Sequence, residues 1–306
     1  MKGISWRRMQ GLTDSLLIKM LNDRGLDNVP QWTKKDDVRS AANARWMALG
    51  KDRDGPLNPA QRPINDAAAV TAEIVAKAKE LGADLVGSCE LTPIMITADF
   101  DMPHKSVISL VVQEDYANVL RGSRAIEAET YDVYVRVAEI STALAAFIRD
   151  MGYPAWAHHN GASEIMAIPA MIQCGFGELG CHGSLINPDL SANFRPAFVT
   201  TDIPLAYDAP MEFGVQDYCE TCNLCRNNCP GDAIATDHIV TEGTKRWLID
   251  MEKCYPFSRL NEAYCHICVD VCPYAHKANG NPERRDIFKS YMKIRKEDGY
   301  RSPNRI

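Results

Sequence analysis

Cys219-Glu-Thr-Cys222-Asn-Leu-Cys225-Arg-Asn-Asn-Cys229-Pro230 reads C-x2-C-x2-C-x3-C-P, the spacing that holds a cubane [4Fe–4S] cluster. Three thiolates of such a run reach one cluster from a single turn, and the fourth goes to a neighbouring cluster. A second run supplies the reciprocal set: Cys254, ten intervening residues, then Cys265-His-Ile-Cys268-Val-Asp-Val-Cys272-Pro273. The spacing predicts two clusters in close contact. One is assigned to Cys219, Cys222, Cys225 and Cys272, the other to Cys229, Cys254, Cys265 and Cys268. The proline after each run fixes φ and removes an amide donor, which helps the chain turn away. A zinc ribbon uses two C-x-x-C pairs, but not two runs that each end in C-x2-C-x3-C-P. A disulfide framework suits small secreted chains rather than one of 306 residues. These cysteines imply electron transfer and leave its destination open.

The rest of the composition is that of an ordinary globular protein, 46% hydrophobic and 24% charged. A net charge of −6 argues against a broad nucleic-acid footprint, so no nucleic-acid partner is expected. No run of eighteen apolar residues occurs, and no membrane span is expected. Ser5-Trp6-Arg7-Arg8-Met9 faintly resembles a twin-arginine signal, but Asp14 and Lys19 interrupt the apolar region it would need. A cytoplasmic location is the expectation.

Residues 1–64 are polar and punctuated by Pro30, Pro56, Pro59 and Pro63, and read as an extension draped over another surface. They are also a candidate for crossing a subunit interface in a homo-oligomer. From residue 65 the pattern tightens. Asp66 to Gly82 reads as a helix with a cap at Asp66 and a stop at Gly82. Residues 84–90 and 106–113 are β-rich runs of strand length. A helix over about 130–151 carries Val133, Val137, Ile140, Leu144, Phe147, Ile148 and Met151 on one stripe. Strands are expected at 154–159 and 195–201, a helix at 163–174, a cysteine-rich region at 215–278 and a charged surface helix at 282–296. Helices alternating with strands argue for an α/β or α+β core. The expected domains are an extension (1–64), a core (65–214), a two-cluster domain (215–280) and a charged tail (281–306).

Gly175-Phe-Gly177-Glu178-Leu179-Gly180 matches G-x-G-x-x-G, and Asp202 lies at a suitable distance for a dinucleotide fingerprint. Context speaks against that reading, because the preceding residues look helical and Gly183 and Pro188 open no long helix. Two readings remain: a glycine loop allowing close backbone approach to some other cofactor, or a tight connection within the core.

The order of segments resembles the catalytic subunit of corrinoid-dependent reductive dehalogenases, which are related to epoxyqueuosine reductases. The resemblance is carried by Phe147-Ile-Arg-Asp-Met-Gly-Tyr153, the 175–180 loop, Ile186-Asn-Pro188, the segment 198–205, Phe213-Gly-Val215 and the two cysteine runs. It implies a nitroreductase-like α/β (α+β) core that binds cobalamin base-off, followed by a bacterial-type two-cluster ferredoxin domain. It further implies reductive removal of halide from an organic substrate, most readily a haloaromatic one. The implied proton donor is Tyr134, its polarising partner Arg195, and a polar pocket residue Asn160. The implied cofactor loop comprises Gly175, Gly177, Glu178, Leu179 and Gly180. A phenol is a reluctant acid near neutral pH, and a fixed guanidinium nearby would help it give up its proton. Tyr131 is the weaker candidate donor. His158 and His159 read as pocket wall or loop before metal ligands, and Asp101-Met-Pro-His104 lacks the spacing of a motif offering histidine to cobalt.

Cys181 departs from the family pattern, in which the resemblance implies arginine at that position. Cys89, Cys174 and Cys181 are expected to be buried thiols. No fused flavin or plant-type ferredoxin module is visible, so a separate ferredoxin, flavodoxin or reductase is the expected donor. Two alternatives stay open: an epoxyqueuosine reductase-like enzyme, and a non-catalytic two-cluster electron carrier.

Overall fold

The computed structural model describes residues 37–97, 100–115, 117–118, 123–241, 244–254 and 265–274. The arginines at 7 and 8 and the expected helix at 282–296 lie outside these residues. In chain order the elements begin with α1 (Asp37–Leu49), α2 (Ala67–Glu80), β1 (Leu85–Glu90) and β2 (Ser106–Gln113). They continue with α3 (Ser123–Asp150), β3 (Ala155–His158), α4 (Ala167–Gln173), β4 (Glu178–Leu179), β5 (Leu185–Ile186) and β6 (Phe194–Thr201). The cysteine-rich part holds α5 (Val215–Cys222), α6 (Leu224–Asn227), β7 (Ile234–Thr241), β8 (Thr244–Ile249) and α7 (Ile267–Asp270).

β1, β2, β6 and β3 form one sheet in that spatial order, antiparallel throughout. The core is therefore α+β rather than a parallel α/β sheet. β2 is buried along nearly its whole length because helices cover both faces. Ile108, Leu110 and Val112 of β2, with Ala197 and Val199 of β6, face Val133, Val137, Leu144 and Ile148 of α3. Val107, Val111, Phe194 and Phe198 point the other way, against Met95, Met171 and Phe176. This period of two is what a strand buried on both faces requires.

Asp66 caps α2 as expected, its Oδ1 accepting from the amides of Ala68 and Ala69 at 2.9 and 3.1 Å. Gly82, at φ +108°, ends that segment. Helix α3 begins seven residues before the expected start and α4 is shorter than expected. Helix α1 was not foreseen. It lies on α3 through Ala42 and Trp46, an i,i+4 pair, with Leu49 packed against the same cluster. The segment after it crosses β3 and the end of α3, with Arg53 O accepting from Ala157 N and Arg62 N donating to Met151 O. The β7–β8 hairpin was also missed, because its short alternation lies among cysteine-rich turns.

Candidate active site

Tyr134 stands half-buried on α3, between the main core and the layer formed by α1. The guanidinium of Arg195, on β6, lies 5.4 Å from its ring centroid. Trp46 meets the same ring edge-on at 6.1 Å and stacks on Tyr131 at 5.6 Å. Arg195 reaches Tyr134 because the odd-numbered residues of β6 face α3.

Arg195 is also paired with Glu114, which follows β2. Nε and Nη2 of Arg195 each lie 2.9 Å from Glu114 Oε1, and the Thr130 hydroxyl donates to that oxygen at 2.7 Å. Arg195 Nη2 donates to Thr130 Oγ1 at 3.4 Å. Burial opposes ionisation of Glu114, but Arg195, with His266 and Thr130, outweighs it and holds the carboxyl below the usual range. The guanidinium over Tyr134 is thus half of a largely buried ion pair. Neither Glu114 nor Thr130 was foreseen from the sequence.

A cavity of about 270 Å³ opens beside Tyr134. Its polar wall comprises Tyr134, Asn160, His158, His159, Ser163 and Thr97, and its apolar wall includes Ile165, Pro196 and Phe198. Tyr134 and Asn160 therefore share one chamber. Arg195 stands behind Tyr134, and Tyr131 stacks on Trp46 instead of lining the chamber. The space suits a small organic molecule.

The histidines belong to the wall. Glu164 takes Arg53 bidentately at 3.0 and 2.8 Å and lies 3.1 Å from His158 Nδ1. Burial works against the Glu164 carboxylate, yet His158 and Arg53 bring its pKa down to about 2. A carboxylate requires His158 Nδ1 to donate, so its Nε2 accepts from the Thr200 hydroxyl at 2.9 Å. Thr200 Oγ1 then accepts from His104 Nδ1 at 2.8 Å. Burial lowers the His158 pKa, and burial with His158 and Arg53 nearby lowers that of His159 to about 4. Both imidazoles are neutral near pH 7.

The 175–180 loop follows α4 and leads into the β4–β5 pair, not from a strand into a helix as a dinucleotide site would. Gly175 and Gly177 have φ of +72° and +146°. A Cβ on Gly177 would fall 2.0 Å from Ile186 O, and one on Gly180 3.0 Å from the His182 ring. Close approach within the chain thus explains these glycines. Glu178 latches the loop to the cysteine-rich region: its Oε2 accepts from the amides of Phe213 and Val215 at 2.5 and 3.1 Å. Leu179 is buried.

Cys219, Cys225, Cys229 and Cys272 are buried in one apolar cluster, with Cys254, Cys265 and Cys268 partly buried against it. Burial pushes Cys219 up to about 12, against the hydrogen bond from the Cys181 amide, with Cys272 and Cys222 adding to the rise. Cys268 is raised by burial and then by Cys265, Cys254, Asp270 and Cys229. Cys225 interacts first with Cys181 and then with Cys268 and Cys272. Iron must displace the thiol protons to bind here.

Of the three remaining cysteines, Cys89 and Cys174 are buried with sulfurs 3.5 Å apart. Cys181 is buried too, but it sits with the cluster cysteines, its amide donating to Cys219 Sγ at 3.4 Å. Three buried polar atoms lack a partner among the described residues at the places where the implied groups belong: Thr97 Oγ1 and His159 Nε2 at the cavity wall, and His182 Nε2 in the residue that follows Cys181. Such atoms fit sites whose ligand completes the hydrogen bonding. No helix among the described residues is long and apolar enough to cross a membrane.

Residues 218–276 match the family model of a 4Fe-4S dicluster domain. A tetrachloroethene reductive dehalogenase of Desulfitobacterium hafniense is 34% identical over 183 residues, covering 56% of this chain and 33% of that protein. An epoxyqueuosine reductase of Cyclobacterium marinum is 26% identical over 207 residues, 63% of this chain and 64% of the relative. Among solved structures, the catabolic reductive dehalogenase NpRdhA in complex with 3-bromo-4-hydroxybenzoic acid is 26% identical. It superposes with a TM-score of 0.72 over 84% of this chain and 39% of that one. The chain spans about a third of the length of the Desulfitobacterium relative. It is thus a homologue of the reductive dehalogenases, also related to epoxyqueuosine reductases, and it carries a 4Fe-4S dicluster domain.

Proposed function

We propose that the chain catalyses reductive dehalogenation of a small organohalide, R–X + 2e⁻ + H⁺ → R–H + X⁻, with haloaromatics as the substrate class. The observation that carries this reading is a chamber shared by Tyr134 and Asn160, with Arg195 over the Tyr134 ring. When bound, cobalamin reduced through two [4Fe–4S] clusters would supply the electrons that break the carbon–halogen bond. Tyr134 Oη gives its proton to the carbon that loses halide. Arg195 favours the negative charge left on the phenol, and Glu114 and Thr130 fix the guanidinium in place. The Asn160 amide orients the substrate, while Ile165, Pro196 and Phe198 exclude water.

The cluster ligands are Cys219, Cys222, Cys225 and Cys272 for one cubane, and Cys229, Cys254, Cys265 and Cys268 for the other. Gly175, Gly177, Glu178, Leu179 and Gly180 form the loop that would present backbone to the cobalamin, with Leu179 buried and Glu178 held by the Phe213 and Val215 amides. In this reading residues 65–214 form the catalytic core and 215–280 the electron-transfer domain, fed by a ferredoxin, flavodoxin or reductase in the cytoplasm.

The test is anaerobic purification followed by iron and corrinoid analysis and a halide-release assay on a haloaromatic panel. Iron near eight atoms per chain follows from two cubanes; one extractable corrinoid and released halide support the reading. Turnover of epoxyqueuosine-modified tRNA without halide release would favour the related reductase. Full iron content with no corrinoid would favour an electron carrier.

A further inference from the structure

We propose that His182 donates a hydrogen bond to a sulfur of the iron–sulfur pair and thereby raises the reduction potential of the cluster it touches. His182 follows the 175–180 loop and is 7% exposed. Its Nδ1 accepts the amide proton of Ser184 at 3.1 Å. Burial, with His266 nearby, lowers its pKa to about 4, so the ring is neutral near pH 7. A neutral imidazole whose Nδ1 accepts carries its proton on Nε2. That Nε2–H is buried and has no partner among the described residues. A buried donor calls for an acceptor.

The surroundings indicate which acceptor. Gly180 keeps the imidazole edge clear, since a Cβ there would lie 3.0 Å from both Cε1 and Nε2. The preceding residue, Cys181, already donates its amide to Cys219 Sγ and packs with Cys219, Cys225, Cys229 and Cys272. His182 lies within electrostatic reach of His266, which stands between Cys265 and Cys268 in the chain. The unpaired N–H therefore lies where the loop meets the cluster domain, and the acceptors a cluster brings are ligand sulfurs and sulfides. Donation to them favours the reduced, more negative cluster. The inference rests on the dicluster reading of residues 218–276 and not on dehalogenation, so its failure and that of the proposed reaction are distinguishable.

The experiment is a potentiometric titration followed by EPR on the anaerobically purified full chain and on H182F and H182Q. In H182F, with wild-type iron content, the midpoint of one cluster shifts to more negative potential. H182Q restores part of the shift, because its amide nitrogen can take the place of Nε2. Both variants lose the bond to the Ser184 amide, so their difference isolates the donor. Unchanged midpoints for both clusters in H182F would overturn the proposal, as would an effect confined to the optical spectrum of a bound corrinoid. Should H182F assemble poorly, pulsed EPR of the ¹⁵N-histidine-labelled wild type and H182Q decides. A histidine nitrogen coupling to a reduced cluster that disappears in H182Q is expected, and no such difference refutes the assignment.

Discussion

The guanidinium of Arg195 lies 5.4 Å from the ring centroid of Tyr134 and, from the same position, binds Glu114 Oε1 at 2.9 Å. The phenol therefore faces a cation whose charge is partly balanced from behind. This arrangement keeps the arginine in one place through the reaction. It also makes Glu114 as much a part of the site as Arg195.

Glu114→Gln removes the countercharge and leaves a largely buried guanidinium. Loss of one partner of a buried pair costs about 3–5 kcal/mol. Urea denaturation should show a destabilisation of that order, with a smaller loss in the double variant E114Q/R195Q. Additive single-variant losses would mean that the two groups are not coupled.

Acid should weaken the fold in two stages. His159 has a folded pKa of about 4 against an ordinary 6.5, so the unfolded chain takes up its proton first and stability falls as pH drops from 6.5 towards 4. Glu164 has a folded pKa of about 2 against 4.5, so the stability from its bonds to Arg53 and His158 is present above 4.5 and lost towards 2. Urea midpoints measured against pH should therefore flatten between 6.5 and 4 in His159→Gln. An unchanged slope would show that His159 is not held neutral.

Trp46 ties α1 to both tyrosines of α3 and is 6% exposed. Trp46→Ala should cost about 3–5 kcal/mol, the usual loss for a buried tryptophan. It should also raise KM for the organohalide more than it lowers kcat, because Tyr134 loses its lateral support but keeps its hydroxyl. Wild-type stability and kinetics would remove α1 from the site.

The sequence made the core strands legible where burial is continuous: Ser106–Gln113 emerges with the expected bounds. The α3 stripe was equally legible because its 3.6-residue period extends over five turns. Pairings across the sheet were not. Glu114 and Arg195 are 81 residues apart, and only the β2–β6 register, with Val112 opposite Arg195, brings them together. The Arg53–Glu164–His158 chain was hidden for the same reason, since its first member lies in the segment read as a polar extension. The glycines of 175–180 were conspicuous as a motif, but their close partners, Ile186 O and the His182 ring, follow them in the chain. A motif scan does not see that packing.

The central claim is that Tyr134 supplies the proton to a carbon losing halide. The most direct measurement is single-turnover halide release from a haloaromatic by anaerobically purified Tyr134→Phe, compared with wild type at matched iron and corrinoid content. Loss of a positioned acid predicts a fall of about 10²–10⁴-fold with cluster EPR signals and cofactor content unchanged. Wild-type halide release by the phenylalanine variant would contradict the account.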